Sequence, residues 1–234
     1  MSLSAKEFSR FAHTYGQYNI IQSKVAKQLV AMLSQQKYEI IIDIGCGCGA
    51  VCQALDEKEI HYDRFIALDA SEEMLQRHPD DLRIEKILMD FNTPIALKLP
   101  KETAVLSSSA LQWSKDLDRT FTWLSSLGET ACFAIFTSGT FKTLHQTAGI
   151  DSPIYSALEL KKTLDRYYEA EYYIRHYDLE FESVRDMFRY IKKSGVSGGE
   201  RQLSYKETKR LMQNYPVNYL EFEVLFMKGI PKKV

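Results

Sequence analysis

Ile40-Ile41-Ile42-Asp43-Ile44-Gly45-Cys46-Gly47-Cys48-Gly49-Ala50 decides how the rest of the chain is read. A β-branched run ends in an acid and then in three alternating glycines. That pattern predicts a buried strand, a tight turn and the first turn of a helix. Glycine suits such a turn because it tolerates φ > 0 and lets a ligand approach bare backbone. The helix start that follows, from Val51 to Leu55, points free N–H groups over the turn. The stretch therefore reads as a nucleotide cradle.

Two nucleotides compete for it. Gly45-x-Gly47-x-x-Ala50 fits the dinucleotide pattern G-x-G-x-x-G/A. Asp43-x-Gly45-x-Gly47-x-Gly49 resembles the first motif of the class I methyltransferases, which bind S-adenosylmethionine. A glycine loop with no ligand is the third reading, and the strand and acid ahead of the loop weigh against it. Cys46, Cys48 and Cys52 crowd the same loop, but no histidine or second cysteine pair stands near in sequence. They read as small fillers and buried thiols, so no metal is expected.

Moving outward, residues 64–69 form a second strand ending in Asp69, 20 residues past Gly49. That is the spacing of a βαβ unit, and a carboxylate there can accept both hydroxyls of a ribose. Capping the helix before Glu72-Glu73-Met74-Leu75 is its competing role. A third strand, 83–89, runs into Asp90-Phe91, an acid and an aromatic suited to an adenine amine and ring face. Residues 104–106 make a fourth strand leading into Ser107-Ser108-Ser109-Ala110-Leu111-Gln112-Trp113. Small hydroxyl residues there face the crevice in which α/β sheets bind ligands. A helix over 115–127 and an apolar fifth strand over 131–136 follow.

Beyond Thr137 the pattern changes to a short helix near Phe141, Leu144 and His145 and a longer helix over 155–168. A strand over 171–181 and a last one over 220–227 complete the order. Between those two strands lies an insert of two helical segments, 183–193 and 204–215. From Arg185 to Arg210 it holds eight basic residues (Arg185, Arg189, Lys192, Lys193, Arg201, Lys206, Lys209, Arg210) against Asp186, Glu200 and Glu207. That local excess of +5 stands in a chain of net charge −1. A solvated helix face explains most such runs; beside a substrate mouth, an anionic partner also fits. At the N-terminus, Ser4-x-x-Glu7 forms a capping box. Phe8, Phe11, Ala12, Tyr15 and Tyr18 then recur at helical spacing, as a packed helix or as a lid over the ligand mouth. Ile21, Val25, Leu29 and Leu33 continue the period.

At 234 residues and 45% hydrophobic content, the chain can bury a full α/β core. Near-zero net charge removes a global field toward nucleic acid or membrane, so neither is expected as a partner. No apolar run is long enough to span a bilayer, and a cytoplasmic monomer is expected. The domain division expected is a single domain over 1–234. It comprises lid and first helices over 1–35, a cofactor core over 36–138, and an acceptor half over 139–234 with the helical insert at 183–215.

Four separated segments carry a narrower resemblance. Phe8-Ser9-Arg10-x-Ala12-x-x-Tyr15 with Gln22, Ser107-x-x-Ala110-Leu111-Gln112-Trp113, Phe136-Thr137 through Leu144-His145-Gln146, and Arg189-Tyr190-Ile191-Lys192-Lys193-Ser194-Gly195 stand in that order. Together they resemble the malonyl-acyl carrier protein O-methyltransferases of biotin synthesis, the BioC type. The family has Asn where Ser108 stands and Ala where Val196 stands. The resemblance implies a Rossmann-like seven-stranded sheet, mostly parallel, with the last strand antiparallel. It also implies S-adenosylmethionine as cofactor and methyl transfer to the free carboxylate of a malonyl thioester on acyl carrier protein. The implied cofactor residues are Tyr15, Gln22, Asp43, Gly45, Cys46, Gly47, Gly49, Asp69, Ala70, Met74, Asp90, Phe91, Ser107 and Ser108. Gln112, Trp113, Arg189 and Lys192 would meet the acceptor. An ionised carboxylate is already a nucleophile, so no catalytic base is expected. A methyltransferase acting on another small carboxylic acid or a quinone precursor, a dinucleotide-dependent dehydrogenase, and a non-catalytic binding protein are the alternatives.

Overall fold

The computed structural model describes residues 19–194 and 203–232, with side chains of the first segment described through Ile191. The Ser4 capping box, the helix carrying Phe8 to Tyr18, the turn after Ser194 and Arg201 lie outside the described residues.

Seven strands form one sheet in the order β3-β2-β1-β4-β5-β7-β6. They are β1 (Lys37–Ile44), β2 (His61–Asp69), β3 (Ile84–Leu88), β4 (Ala104–Ser108), β5 (Thr130–Phe136), β6 (Tyr168–Glu180) and β7 (Tyr219–Pro231). The first five run parallel, and β7 runs antiparallel to both β5 and β6. β1 and β4 lie at the centre and part in opposite directions along the order, so the crevice beyond their carboxyl ends is a topological switch point.

Helices cover both faces. α1 (Ile20–Val30), α2 (Ala50–Glu57), α3 (Glu72–Leu75), α4 (Leu117–Ser125), α5 (Lys142–Ala148) and α6 (Ala157–Tyr167) precede β6. α7 (Val184–Ser194) and α8 (Tyr205–Asn214) lie between β6 and β7. Ile41, Phe65 and Phe222 face a core shared with α1 and the two inserted helices; Ile42, Leu68 and Phe133 face one shared with α4 and α6. β1 and β5 are buried on both faces, which is why they read as continuous apolar runs.

Two boundaries differ from their periodic reading. The helix expected over 155–168 begins at Ala157, because the Ser156 side chain and Glu159 form a capping box. It stops at Tyr167, because Tyr168 is drawn into β6, where it pairs with Pro231 and meets Phe133 edge-on. β6 consequently starts three residues before the expected position, Glu171.

Candidate functional site

The turn after β1 is held by its own N–H groups. Gly45 and Cys46 both donate to the carbonyl of Leu68, at 2.8 and 3.0 Å, and Gly49 donates to Cys46 at 3.0 Å. Gly47 donates to Asp69 Oδ2 at 2.9 Å. Gly45, Gly47 and Gly49 have φ of +72°, +53° and +89°. A Cβ on Gly45 would lie 2.3 Å from Ala110 Cβ, and one on Gly49 would lie 2.6 Å from Pro79 Cδ. A Cβ on Gly47 would meet nothing within 4 Å. Gly45 and Gly49 therefore serve packing, and Gly47 alone fronts open space.

Carboxylates ring that space. Asp43 is buried, and neither of its oxygens has a hydrogen-bond partner among the described residues. Burial, and then the charge of Asp69, push its carboxyl well above the usual range. Asp69 is raised by burial too, against the pull of backbone N–H groups. Its Oδ1 accepts from Ser71 N–H at 2.9 Å. Ser71, not Asp69, caps α3, accepting from Met74 N–H. Asp90 Oδ1 accepts from both the backbone and side-chain amides of Asn92, at 3.0 Å each. Ala70 is half-buried, while Cys46, Met74 and Phe91 are buried and give the site apolar walls.

This donor and charge set separates the two nucleotides. A pyrophosphate needs free loop N–H groups and tolerates no cluster of carboxylates. Here four loop N–H groups are consumed within the protein, and Asp69 sits where a phosphate would accept from Gly47. A ligand with hydroxyls, an exocyclic amine and a positive centre fits the same residues, since each carboxylate oxygen can accept more than one hydrogen bond.

The acceptor side begins at the end of β4. Ser107 Oγ donates to Ile44 carbonyl at 2.7 Å, bridging β4 to β1. Ser108 Oγ, Ser109 Oγ, Gln112 Oε1 and Trp113 Nε1 are buried without a partner. Ser109 holds φ +61°, and its carbonyl accepts from Gln112 Nε2 at 2.7 Å. An unsatisfied buried polar atom costs about 1–3 kcal/mol. Four within six residues, at the carboxyl end of the sheet, mark a surface made to contact a polar ligand. Gln22, buried on α1, leaves its Oε1 unpartnered as well.

Arg189 lies on the exposed face of α7, paired with Asp186 one turn back. Lys192 continues the same helix. Tyr15 lies outside the described residues. Beyond β5, Thr137 and Thr143 donate to the carboxylates of Glu223 and Glu221 on β7, and Thr140 Oγ1 donates to the carbonyl of Glu223. These bonds moor the 137–143 segment, and sequence reading missed them because the partners lie some 80 residues apart. Among the described residues no group of three or more His, Cys, Asp and Glu could hold a metal. Burial raises the thiols of Cys46, Cys48 and Cys52; Cys48 Sγ rests 3.1 Å from Met74 Sδ. Among those residues, no helix is long and apolar enough to cross a membrane.

The family described as "Methyltransferase domain" matches residues 42–126. The malonyl-[acyl-carrier protein] O-methyltransferase of Calditerrivibrio nitroreducens is 23% identical, over 95% of this chain and 90% of its own. A chain of the complex between the Haloferax volcanii Trm112 methyltransferase activator and its methyltransferase superposes with a TM-score of 0.62 at 16% identity, covering 96% of this chain and 98% of that one. A Haemonchus contortus phosphoethanolamine N-methyltransferase, solved with S-adenosylhomocysteine, gives 0.54 at 14% identity, over 88% of this chain and 52% of its own.

Proposed function

We propose that this chain, an S-adenosylmethionine-dependent methyltransferase of the class I fold, methylates the free carboxylate of a malonyl thioester carried on acyl carrier protein. The observation that carries the reading is the run of unpartnered polar atoms from Ser108 to Trp113 beside the glycine loop. A carboxylate with a thioester carbonyl one carbon away offers acceptors for the hydroxyls and the indole N–H. A relative named for this acceptor spans nearly the whole chain and supports the choice.

Bound S-adenosylmethionine supplies a methyl group activated by its sulfonium. In the reaction a carboxylate oxygen forms the new O–C bond as the S–C bond breaks. The electron pair goes to sulfur, and the products are a methyl ester and S-adenosylhomocysteine. No proton moves, so the residues act by placement. Asp69 holds the ribose, Asp90 and Phe91 the adenine, and Asp43 supplies negative potential beneath the positive centre. Gly45, Cys46, Gly47, Gly49, Ala70 and Met74 shape the floor and walls, with Ser107 fixing β4 against β1. Gln22, and Tyr15 as part of a lid, close the cofactor side. Ser108, Gln112 and Trp113 hold the acceptor in line, where correct orientation is itself a large part of catalysis.

Arg189 and Lys192 attract the anionic acceptor, and the basic insert with Arg185, Lys206, Lys209 and Arg210 meets the acidic carrier. In this reading the enzyme is a cytoplasmic monomer with neither nucleic acid nor membrane as partner. Residues 1–35, 36–138 and 139–234 act as lid, cofactor core and acceptor half. The test is transfer of labelled methyl to malonyl-acyl carrier protein, free malonate and a quinone precursor in parallel. Methyl ester on the carrier-bound acid, formed at least tenfold faster than on the free acid, is expected. Preference for free malonate or another acceptor would overturn the assignment.

A further inference from the structure

A cleft of about 670 Å³ opens between the end of β5 and the 150–156 loop, with Ser138, Lys142, His145, Gln146, Ser152 and Tyr155 in its lining. The methyl transfer itself uses none of these side chains. Three observations give the cleft a purpose.

Its wall is bonded to the acceptor segment. Ser138 N–H donates to the Tyr155 carbonyl at 2.8 Å, and the Tyr155 hydroxyl donates to the Ser114 carbonyl at 2.9 Å. Ser114 directly follows Gln112 and Trp113, so the cleft continues outward from the place where the carboxylate is held. The lining is also polar in a particular way. Gln146 and the His145 imidazole, kept neutral at pH 7 by burial, each offer a donor and an acceptor together. His145 Nδ1 and Ser152 Oγ are buried without hydrogen-bond partners among the described residues. Finally, the charge at the rim is positive where it is free. Glu159 is engaged by Ser156 N–H and Oγ, at 2.8 and 2.6 Å, whereas Lys142 makes no ion pair among the described residues.

We propose that this cleft receives the phosphopantetheine arm on which a carrier protein presents its thioester. Such an arm carries two amides, each needing a donor and an acceptor, and ends in a phosphate that Lys142 at the rim would meet. The inference rests on the carrier-thioester reading above and locates the arm within it. It also gives the Leu144-His145-Gln146 segment a role: α5 presents Gln146 and His145 to the arm, while mooring of the preceding segment on Glu221 and Glu223 fixes that helix.

The test uses the exposed residues Lys142 and Gln146, whose replacement leaves the core intact. Phosphopantetheine is titrated by calorimetry into the full chain saturated with S-adenosylhomocysteine. In parallel, KM is measured for malonyl-phosphopantetheine and for the short malonyl-N-acetylcysteamine thioester. Losing one hydrogen bond and one charge contact weakens binding by about tenfold or more. The expected result for the double variant K142A/Q146A is a tenfold weaker phosphopantetheine affinity. Its KM should rise as much for the long-armed thioester and less than twofold for the short one, with S-adenosylhomocysteine affinity retained. Phosphopantetheine binding that is undetectable, or identical in wild type and variant, overturns the assignment. If phosphopantetheine binds through the cleft and no malonyl ester forms, the acceptor reading falls and the cleft assignment stands. If ester forms with the same KM values in both proteins, the reverse holds.

Discussion

Gly47 N–H donates to Asp69 Oδ2 across 2.9 Å, joining the glycine turn after β1 to the carboxyl end of β2. The second oxygen of Asp69 accepts from Ser71. One carboxylate thus fixes the loop, the start of α3 and the place where a ribose would lie.

Asp69→Asn keeps the shape but exchanges one accepting oxygen for a donating amide, so one backbone N–H must face another. The expected outcome is a stability loss of about 1–3 kcal/mol and at least tenfold weaker binding of S-adenosylhomocysteine. Thermal unfolding and calorimetric titration measure the two separately. Unchanged cofactor affinity would remove Asp69 from the ribose site.

The glycines should separate by readout. Gly45→Ala drives a methyl into Ala110 Cβ, and destabilisation of about 1–3 kcal/mol is expected; adding Ala110→Gly should restore part of it. Gly47→Ala meets open space and bears only a left-handed backbone strain of about 1–2 kcal/mol. Its main effect should be on cofactor affinity, because the new methyl occupies the ligand's side of the turn. Denaturant midpoints with and without S-adenosylhomocysteine distinguish these outcomes.

The Asp43 carboxyl is raised above its ordinary 3.8, by burial first and by Asp69 second. Its folded state binds the proton more tightly than the unfolded chain. The stability it contributes is therefore present below pH 3.8 and lost as pH rises through the folded pKa. At neutral pH the ionised acid is a net cost. Asp43→Asn should raise the denaturation midpoint at pH 7, each pKa unit corresponding to about 1.4 kcal/mol. Affinity for cationic S-adenosylmethionine should fall more than that for neutral-sulfur S-adenosylhomocysteine. An equal change in both affinities would mean that Asp43 does not act through charge.

Arg189 and Asp186 form an exposed pair one turn apart on α7, an arrangement worth at most about 0.5 kcal/mol. Arg189→Ala should leave stability and S-adenosylhomocysteine binding unaltered. It should raise KM for malonyl-acyl carrier protein severalfold at low salt, with the difference shrinking as ionic strength rises. A KM indifferent to both substitution and salt would assign Arg189 to its ion pair alone.

The chain's own order determined that a strand, a glycine turn and a helix open the sheet, and that acids end the first two strands and follow the third. Burial on both faces writes continuous apolar runs, positive φ selects glycine, and these demands are local. Only the tertiary structure decided that Gly45 and Gly49 serve packing while Gly47 faces a ligand, because Ala110 and Pro79 approach from distant segments. Likewise Asp69 takes Gly47, Tyr168 leaves its helix for the sheet, and Glu221 and Glu223 hold the segment before α5. Each of these depends on which atoms become neighbours after the strands pair, and periodicity along the chain carries no record of that.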